Sequence, residues 1–277
     1  MNELGIVILH FNTPQDVEKN LKAISKADIP AKTEIVVVNN GGHDANKNIS
    51  GHSYKNLNVK FFDIPNKGFP QGNNFGISKL NSEYIAMVNP DVEIEKDTFK
   101  ILLDYFKKHP QVGIIAPRLI YPNGKTQDNY RVFPRPFDLI IKRISFLRKR
   151  FVGRMRKYLM WDKSPEQNEQ VDWLTGAFQV ITKKCWDKCG PNNEYYFLFM
   201  SDVELCRKAW QQKFEVHYVG HAKARHNESR LSEGGIQDIF KKKTMRIHIT
   251  DAVKYFIKYL FRKHPNNCPS CQVKQKA

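Results

Sequence analysis

Three short polar clusters have the residue types and spacing to do chemistry. Asn89-Pro90-Asp91-Val92-Glu93 ends an apolar run from Tyr84 to Val88. A carboxylate at the end of a strand can reach a divalent cation that bridges two phosphates, since Mg²⁺ takes one or two protein carboxylates beside phosphate oxygens. A turn aspartate after proline is the plainer alternative. Ser201-Asp202-Val203-Glu204-Leu205-Cys206-Arg207 follows the aromatic run Tyr195 to Phe199. A helix starting here puts Asp202 in its first turn, at a sheet edge, where an acid also complements the helix dipole. His226 precedes Asn227-Glu228-Ser229 and follows the strand-like Glu215 to Val219. A neutral imidazole there suits a metal, although a lone histidine is more often structural.

A fourth cluster is built to approach a ligand rather than to react with it. In Asn66-Lys67-Gly68-Phe69-Pro70-Gln71-Gly72-Asn73-Asn74-Phe75-Gly76 the glycines permit close backbone approach. The asparagines offer both donors and acceptors. An ordinary loop entering a helix would look similar.

The elements that must position these clusters alternate. Residues 4–9, LGIVIL, form an apolar run, and Val17, Leu21 and Ile24 have helical spacing over 16–27. Glu34 to Val38 is β-branched and ends in Asn39-Asn40-Gly41-Gly42. Val59 to Ile64 reads as a third strand, 72–81 as a helix, and Tyr84 to Val88 as a fourth strand. Asp97 is placed to cap a helix running to Lys108, and Val112 to Ala116 is another strand. This is a parallel α/β sheet with a Rossmann-like first half. Ligands on such sheets sit beyond the carboxyl ends of the strands. The polar clusters at 10–13, 39–44, 66–74 and 89–93 all follow strands, so they should meet at one edge.

Beyond residue 130 the character changes. Residues 138–161, DLIIKRISFLRKRFVGRMRKYLMW, contain no acid between Asp138 and Asp162, and 239–263 repeat the theme. Ile140, Ile141, Ile144 and Leu147 can share a helical face opposite lysines and arginines. That pattern suits a helix lying in a membrane interface, or a solvated basic helix packed on the core. The net charge of +17 over 277 residues favours an anionic partner. The hydrophobic fraction of 41% excludes a disordered chain.

No run approaches the ~20 apolar residues of a membrane-spanning helix. The N-terminus carries Glu3 and no basic leader, so it reads as a strand rather than a signal peptide. A cytosolic chain, or one on a cytosolic membrane face, is expected. Five cysteines, Cys185, Cys189, Cys206, Cys268 and Cys271, argue against a disulfide framework there. Cys268-Pro269-Ser270-Cys271 lacks a second pair for zinc and reads as an exposed tail.

Taken in order, the motifs resemble a family 2 inverting glycosyltransferase of the GT-A fold, in the rhamnosyltransferase-like branch. The resemblance runs from residue 4 to about 250. It is carried by Phe11-Asn12, the Val-Val-Val-Asn39-Asn segment, Asn66-Lys-Gly68-Phe with Gly72-Asn73-Asn, Asn89-Pro-Asp91, Trp173-Leu-Thr-Gly176-Ala, Ser201-Asp202-Val-Glu204 with Arg207, and His226 with Ser229. It implies a catalytic domain over 1–235, with a donor half to about 117 and an acceptor half beyond. A basic amphipathic extension over 236–264 and a flexible tail over 265–277 would follow.

By the same resemblance Asp202 is the catalytic base, and Asp91 with His226 hold Mg²⁺ or Mn²⁺. Phe11, Asn12, Asn39, Asn66, Gly68, Gly72, Asn73, Asn89 and Asp91 bind the donor. Trp173, Gly176 and Glu204 line the acceptor side. Relatives usually show an acid where Ser201 stands, and an aspartate near the nucleobase where Asn39 stands. An amide oxygen still accepts from a pyrimidine N3–H. The implied reaction moves L-rhamnose from a dTDP donor, or a hexose from a UDP-sugar, onto a hydroxyl of a lipid-linked or polysaccharide acceptor in cell-surface glycan synthesis. The acceptor is a glycan or a polyprenyl-diphosphate-linked sugar, on the inner face of an anionic membrane. Three alternatives fit less well. A sugar nucleotidyltransferase would carry a Gly-rich basic loop where His10-Phe11-Asn12-Thr13-Pro14 stands. A nucleic-acid-binding protein would show a recognisable motif. A catalytically dead scaffold would not keep Asp91, Asp202 and His226.

Overall fold

The structure, a computed structural model, describes residues 1–42, 46–50, 54, 57–227, 243–262, 264–265 and 267–272. Ser229, and residues 239–242 and 263 of the second basic stretch, lie outside the described residues.

The centre is a nine-stranded mixed sheet. β1 (Asn2–His10), β2 (Thr33–Asn39), β3 (Asn58–Asp63) and β4 (Ser82–Val88) are mutually parallel in the order β3-β2-β1-β4. β10 (Phe178–Thr182) runs antiparallel between β4 and β6 (Val112–Ile120). β11 (Glu215–His226) lies parallel to β6, and β5 (Val92–Ile94) and β8 (Glu169–Gln170) pair with it antiparallel. β7 (Tyr130–Arg131) and β9 (Trp173–Leu174) form a separate two-stranded ladder.

The central strands are apolar without interruption because both faces are covered. Their period of two sorts the side chains cleanly. Val7, Leu9, Val36, Val38, Ile85 and Met87 enter one core, and Leu4, Ile6, Ile8, Ile35, Val37, Ala86 and Val88 the other. α1 (Pro14–Ile24) and α4 (Thr98–Lys108) cover the second face through Val17, Leu21, Phe99 and Leu102. α3 (Phe69–Ser78) and α9 (Ser201–Gln211) cover the first, through Ile77, Leu205 and Trp210. α2 (Lys47–Ser50) and α8 (Lys183–Cys189) are short.

Several boundaries differ from the expectation. α3 starts at Phe69, three residues early, because Pro70 fits a first helical turn. Asp97 occupies the N-cap of α4, but its side chain makes no capping bond; the neighbouring Thr98 hydroxyl instead donates to the carbonyl of Lys223. The basic segment is three short helices, not one: α5 (Pro136–Arg143), α6 (Ser145–Arg150) and α7 (Val152–Tyr158). Ile144 is extended, at φ −102° and ψ 110°, which breaks the expected face. Ile141 is buried while Ile140 is exposed. α10 (Lys243–Tyr259) buries Met245, Asp251, Ala252, Tyr255 and Tyr259.

The chain beyond 265 is not an exposed tail as far as Gln272. Cys268 is buried, α11 (Pro269–Gln272) follows it, and the backbone N–H of Ser270 donates to Asp172 Oδ1 at 3.0 Å. The apolar Cys268 and the buried carboxylate of Asp172 both require such a cover. All five cysteines are free thiols.

Candidate active site

A cleft of about 1110 Å³ opens beyond the carboxyl ends of β1 and β4. The polar clusters that follow the strands converge there: His10, Phe11 and Thr13 after β1, Asn40 after β2, Asn66 and Gly68 after β3, and Asn89, Pro90 and Asp91 after β4. Across from them lie Trp173, Thr175, Gly176, Asp202 and His226.

Strand pairing brings the two candidate metal ligands together. Antiparallel pairing of β5 with β11 sets His226 opposite Val92, next to Asp91. The single strand from Glu215 runs on to His226 through a register shift between Val219 and Lys223, whereas the sequence suggested a stop at Val219. The Asn89–Val92 turn is held from beneath by Asn20, whose amide donates to the carbonyls of Asn89 (3.1 Å) and Val92 (2.6 Å).

His226 Nε2 lies 3.3 Å from Asp91 Oδ1. Its other nitrogen meets Gln127. The Gln127 amide N–H donates to the His226 carbonyl at 3.1 Å, so the Gln127 oxygen is the atom 2.8 Å from His226 Nδ1. That oxygen can only accept, so Nδ1 carries a proton, and Nε2 is the ring nitrogen turned toward Asp91. Two ligands about 2.1 Å from an octahedral ion stand about 3.0 Å apart at a right angle. The pair therefore fits a divalent cation. Among the described residues no group of three or more His, Cys, Asp or Glu could hold one, so phosphate oxygens and water would supply the remaining ligands.

Asp202 stands in the first turn of α9, after Met200 in the left-handed region at φ 70°. Its Oδ1 accepts from the Val203 N–H at 2.8 Å and its Oδ2 from the Gly176 N–H at 3.0 Å. Gly176 thus acts through its backbone, and a Cβ there would make only ordinary contact. Burial raises the Asp202 carboxyl above the ordinary aspartate value, against those two hydrogen bonds and the charge of Arg131. A carboxylate fixed in place and made more basic by desolvation is suited to accept a proton.

Five of the expected site residues do not line the cleft. Asn39 is fully buried and its amide is committed: Oδ1 accepts from Gly41 N–H (2.9 Å), and Nδ2 donates to the Gly42 carbonyl (2.6 Å) and to Asp63 (2.7 Å). Asn12 donates to the Gly41 carbonyl at 3.0 Å, so both asparagines shape the turn after β2. Gly72 is a packing glycine, because a Cβ there would sit 2.5 Å from Leu9 Cδ1. Asn73 is buried and its amide returns to the Phe69 carbonyl.

Glu204 points into the core rather than toward an acceptor. It accepts from the Tyr196 hydroxyl (2.6 Å), from Asn193 (3.1 Å) and from Lys258 of α10 (2.8 Å). Burial opposes its charge, but Lys258 and Tyr196 outweigh that and keep the carboxyl below its ordinary range. Trp173 borders the cleft but is 5% exposed, its indole N–H bound to the Val132 carbonyl and the Arg131 guanidinium 5.1 Å from its ring. It offers little free face to a sugar.

Sequence reasoning missed Gln127, Asn20, Arg131 and the cationic wall contributed by α5, α6 and α10. No local pattern marks Gln127. It follows an isolated bridge between Ile120 and Thr126, and only the return of β11 makes it a neighbour of His226. Arg131 was at least visible as a charge beside an aromatic strand.

Residues 5–164 match the profile of Glycosyl transferase family 2. Over 234 residues the chain is 24% identical to the low-salt glycan biosynthesis hexosyltransferase Agl10 of Haloferax volcanii, covering 82% of this chain and 68% of that one. Over 253 residues it is 22% identical to an N-acetylglucosaminyl-diphospho-decaprenol L-rhamnosyltransferase of Mycobacterium tuberculosis, covering 82% and 76%. A crystal structure of GalNAc-T7 with UDP, GalNAc and Mn²⁺ superposes with a TM-score of 0.61 at 13% identity, over 82% of this chain and 43% of that one. The chain thus spans less than half of that neighbour, and the likeness is one of fold. The chain belongs to glycosyl transferase family 2, in its rhamnosyltransferase-like branch, and is a glycosyltransferase of the GT-A fold.

Proposed function

We propose that the chain transfers a sugar from a nucleoside diphosphate donor, dTDP-rhamnose or a UDP-hexose, to a hydroxyl of a lipid-linked or polysaccharide acceptor, with inversion. The observation that carries this reading is that Asp202 faces the same cleft as the Asp91–His226 pair. Residues 1–117 form the donor half in this reading, and 118–235 the acceptor half.

Asn66, Gly68 and Asn89 surround the donor beside Asp91 and His226. Asp91 and His226 would hold a divalent cation there, which would supply positive charge against the departing diphosphate. Asp202 takes the proton of the attacking hydroxyl while the Gly176 and Val203 amides hold its carboxylate in place. One base and one displacement give inversion at the anomeric carbon. Relatives named for hexosyl and diphospho-decaprenol rhamnosyl transfer support the donor and acceptor classes.

The proposed location is the inner membrane face. No helix of the described residues is long and apolar enough to cross a membrane. Exposed Ile140 and Phe146 stand among the basic residues of α5 and α6, which suits interfacial attachment.

Thermal shift against UDP, dTDP, GDP and CDP, with and without Mn²⁺, tests the donor. Native-state ligands raise stability by mass action. Metal-dependent stabilisation by UDP or dTDP is expected; a flat response to every diphosphate would refute the reading.

A further inference from the structure

The apolar face of α1 is interrupted by an amide. Val17, Leu21 and Ile24 enter the core at helical spacing, and Asn20 sits on the same face, fully buried. Its nitrogen reaches the Asn89–Val92 turn, while its oxygen is buried and makes no hydrogen bond among the described residues. A buried acceptor without a partner costs stability. A leucine of similar size would avoid that cost and complete the apolar face. Stability alone therefore gives no reason for an amide at this position, and the turn it holds does.

The grip falls on the two carbonyls that bracket Asp91. The Asn20 amide donates to Asn89 and to Val92, which lie 69 and 72 residues further along the chain. Backbone bonds tie the same turn elsewhere. Val92 N–H donates to the Asn89 carbonyl and Asn227 N–H to the Asp91 carbonyl, each at 3.2 Å. Asn89 N–H donates to the Ala177 carbonyl at 2.8 Å, beside the Gly176 N–H that holds Asp202. The turn is thus joined to the end of β11 on one side and to the segment that fixes the proposed base on the other.

Asn20 bears on both members of the metal pair. It reaches Asp91 through the turn. It reaches His226 through Val92, which pairs with His226 across β5 and β11. The helix that carries it opens at the cleft, where Thr13 and Asp16 line the wall, and Asn20 stands about one turn beyond Asp16. We infer that Asn20 is a positioning residue: it sets where the Asp91 carboxylate stands relative to His226 and Asp202, without touching substrate or ion. The inference rests on the transferase reading above and deepens it.

The test uses the full chain and two readouts. Amide hydrogen exchange, measured by NMR without metal, follows the N–H groups of Asn89, Val92 and Asn227 against those of β1. Mn²⁺ binding in the presence of UDP follows the pair itself. Asn20→Leu removes the donor and keeps the bulk; Asn20→Ala removes both. In each, the three amides should exchange roughly tenfold faster relative to β1, about the factor that one ordinary hydrogen bond contributes. Each should also bind Mn²⁺ roughly tenfold more weakly, the lower end of the range for groups that orient a metal ligand. Asn20→Ser, whose hydroxyl can donate to one carbonyl, should fall between them and wild type. Leu21→Ala is the control for stability. It opens a cavity beside Asn20 on the same helix and should melt several degrees lower, with the Mn²⁺ affinity of wild type and no selective loosening of the turn.

Wild-type Mn²⁺ affinity in both Asn20→Leu and Asn20→Ala overturns the inference. So does a loss in Leu21→Ala as large as theirs, which would make Asn20 one more packing residue. Exchange that rises evenly over α1 and the sheet, instead of at the three amides, overturns it too. If wild type binds no Mn²⁺ with UDP, the metal reading of Asp91 and His226 falls. Faster exchange confined to the three amides would then still assign Asn20 to placing the turn, and unaltered exchange would remove that role as well.

Discussion

Gln127 grips His226 at two points, donating to its carbonyl and accepting from its Nδ1, and so turns Nε2 toward Asp91. The two residues are 99 positions apart in the chain. Outer partners of metal-binding histidines typically contribute 10- to 100-fold in affinity. Gln127→Leu should therefore weaken Mn²⁺ binding, measured by the electron paramagnetic resonance of the free ion in the presence of UDP, by roughly 10- to 100-fold. Gln127→Glu keeps the acceptor and should bind closer to wild type. Equal Mn²⁺ affinity in wild type and Gln127→Leu would remove Gln127 from the site.

Asp202 makes a prediction about pH as well as about turnover. Asp202→Asn should lower the transfer rate by roughly 10²- to 10⁴-fold, the usual contribution of a positioned base, with the fold retained. Burial raises the folded carboxyl above its unfolded value. The acid limb of the rate should therefore lie above the ordinary aspartate range, since the base works only when ionised. The stability sign follows from the same shift. A raised folded value contributes stability below the unfolded value, near 3.9, and that contribution is lost as pH rises through the folded value. At neutral pH Asp202→Asn should thus melt no lower than wild type. A clear drop in its melting temperature would show that the ionised carboxylate stabilises the fold.

Much of this arrangement could be read from the chain. The uninterrupted apolar runs of β1, β2 and β4 mark a sheet covered on both faces, and polar residues placed after them meet at the carboxyl edge. Asp202 was legible because an aromatic run gives way to an acid-rich helix start. Glu204 could also have been placed: two positions along a helix is a turn of roughly 200°, so an acid at 204 faces away from one at 202. Gln127 and the continuation of β11 past Val219 were not legible, because each depends on pairing between distant segments. Asn39 was misjudged for a related reason, since the local turn at Gly41 and Gly42 takes up the amide that the motif suggested for a base.

Glu204 offers a separation of structure from chemistry. It is almost fully buried, with Lys258, Tyr196 and Asn193 around it, and it ties α9 to α10. Removing one partner of such a pair costs about 3–5 kcal/mol when it leaves the other without its charge partner, and less where that partner is partly solvated, as Lys258 is. Glu204→Ala should lower the urea midpoint clearly while the KM for acceptor stays near wild type in the folded fraction. A large rise in acceptor KM at unchanged stability would restore Glu204 to the binding surface.

The C-terminal segment makes a similar claim. Asp172 is buried and accepts from the N–H groups of Phe133 and Ser270, while Arg207 donates to the Arg262 carbonyl. Burial raises the Asp172 carboxyl, with those bonds opposing it. A chain ending at Asn266 exposes the cavity left by Cys268 and removes one acceptor bond from Asp172. Losing a hydrogen bond to a charged, buried group costs about 1.5–3 kcal/mol, so the truncated chain should melt several degrees lower. Melting at the wild-type temperature would return the segment to the status of a tail.

Membrane attachment is the prediction with the widest reach, because it decides where an acceptor is met. Arg148, Lys149 and Arg150 on α6 adjoin exposed Phe146, and Ile140 is exposed one helix earlier. Basic residues near an anionic surface contribute roughly 1 kcal/mol each, and that contribution falls with salt. An inserted phenylalanine adds an apolar contribution that salt does not screen. Wild type should therefore float with phosphatidylglycerol vesicles at low salt and be released in part at high salt. Phe146→Asp should sediment at both, because it removes the apolar anchor and adds a like charge to the lipid surface. Phe146 is exposed, so this substitution leaves the sheet and cleft intact, and nucleotide binding should survive it. Wild type that stays in solution at low salt would mean that the basic face of α5 and α6 serves the cleft alone, and that the acceptor is drawn from the bilayer by another component.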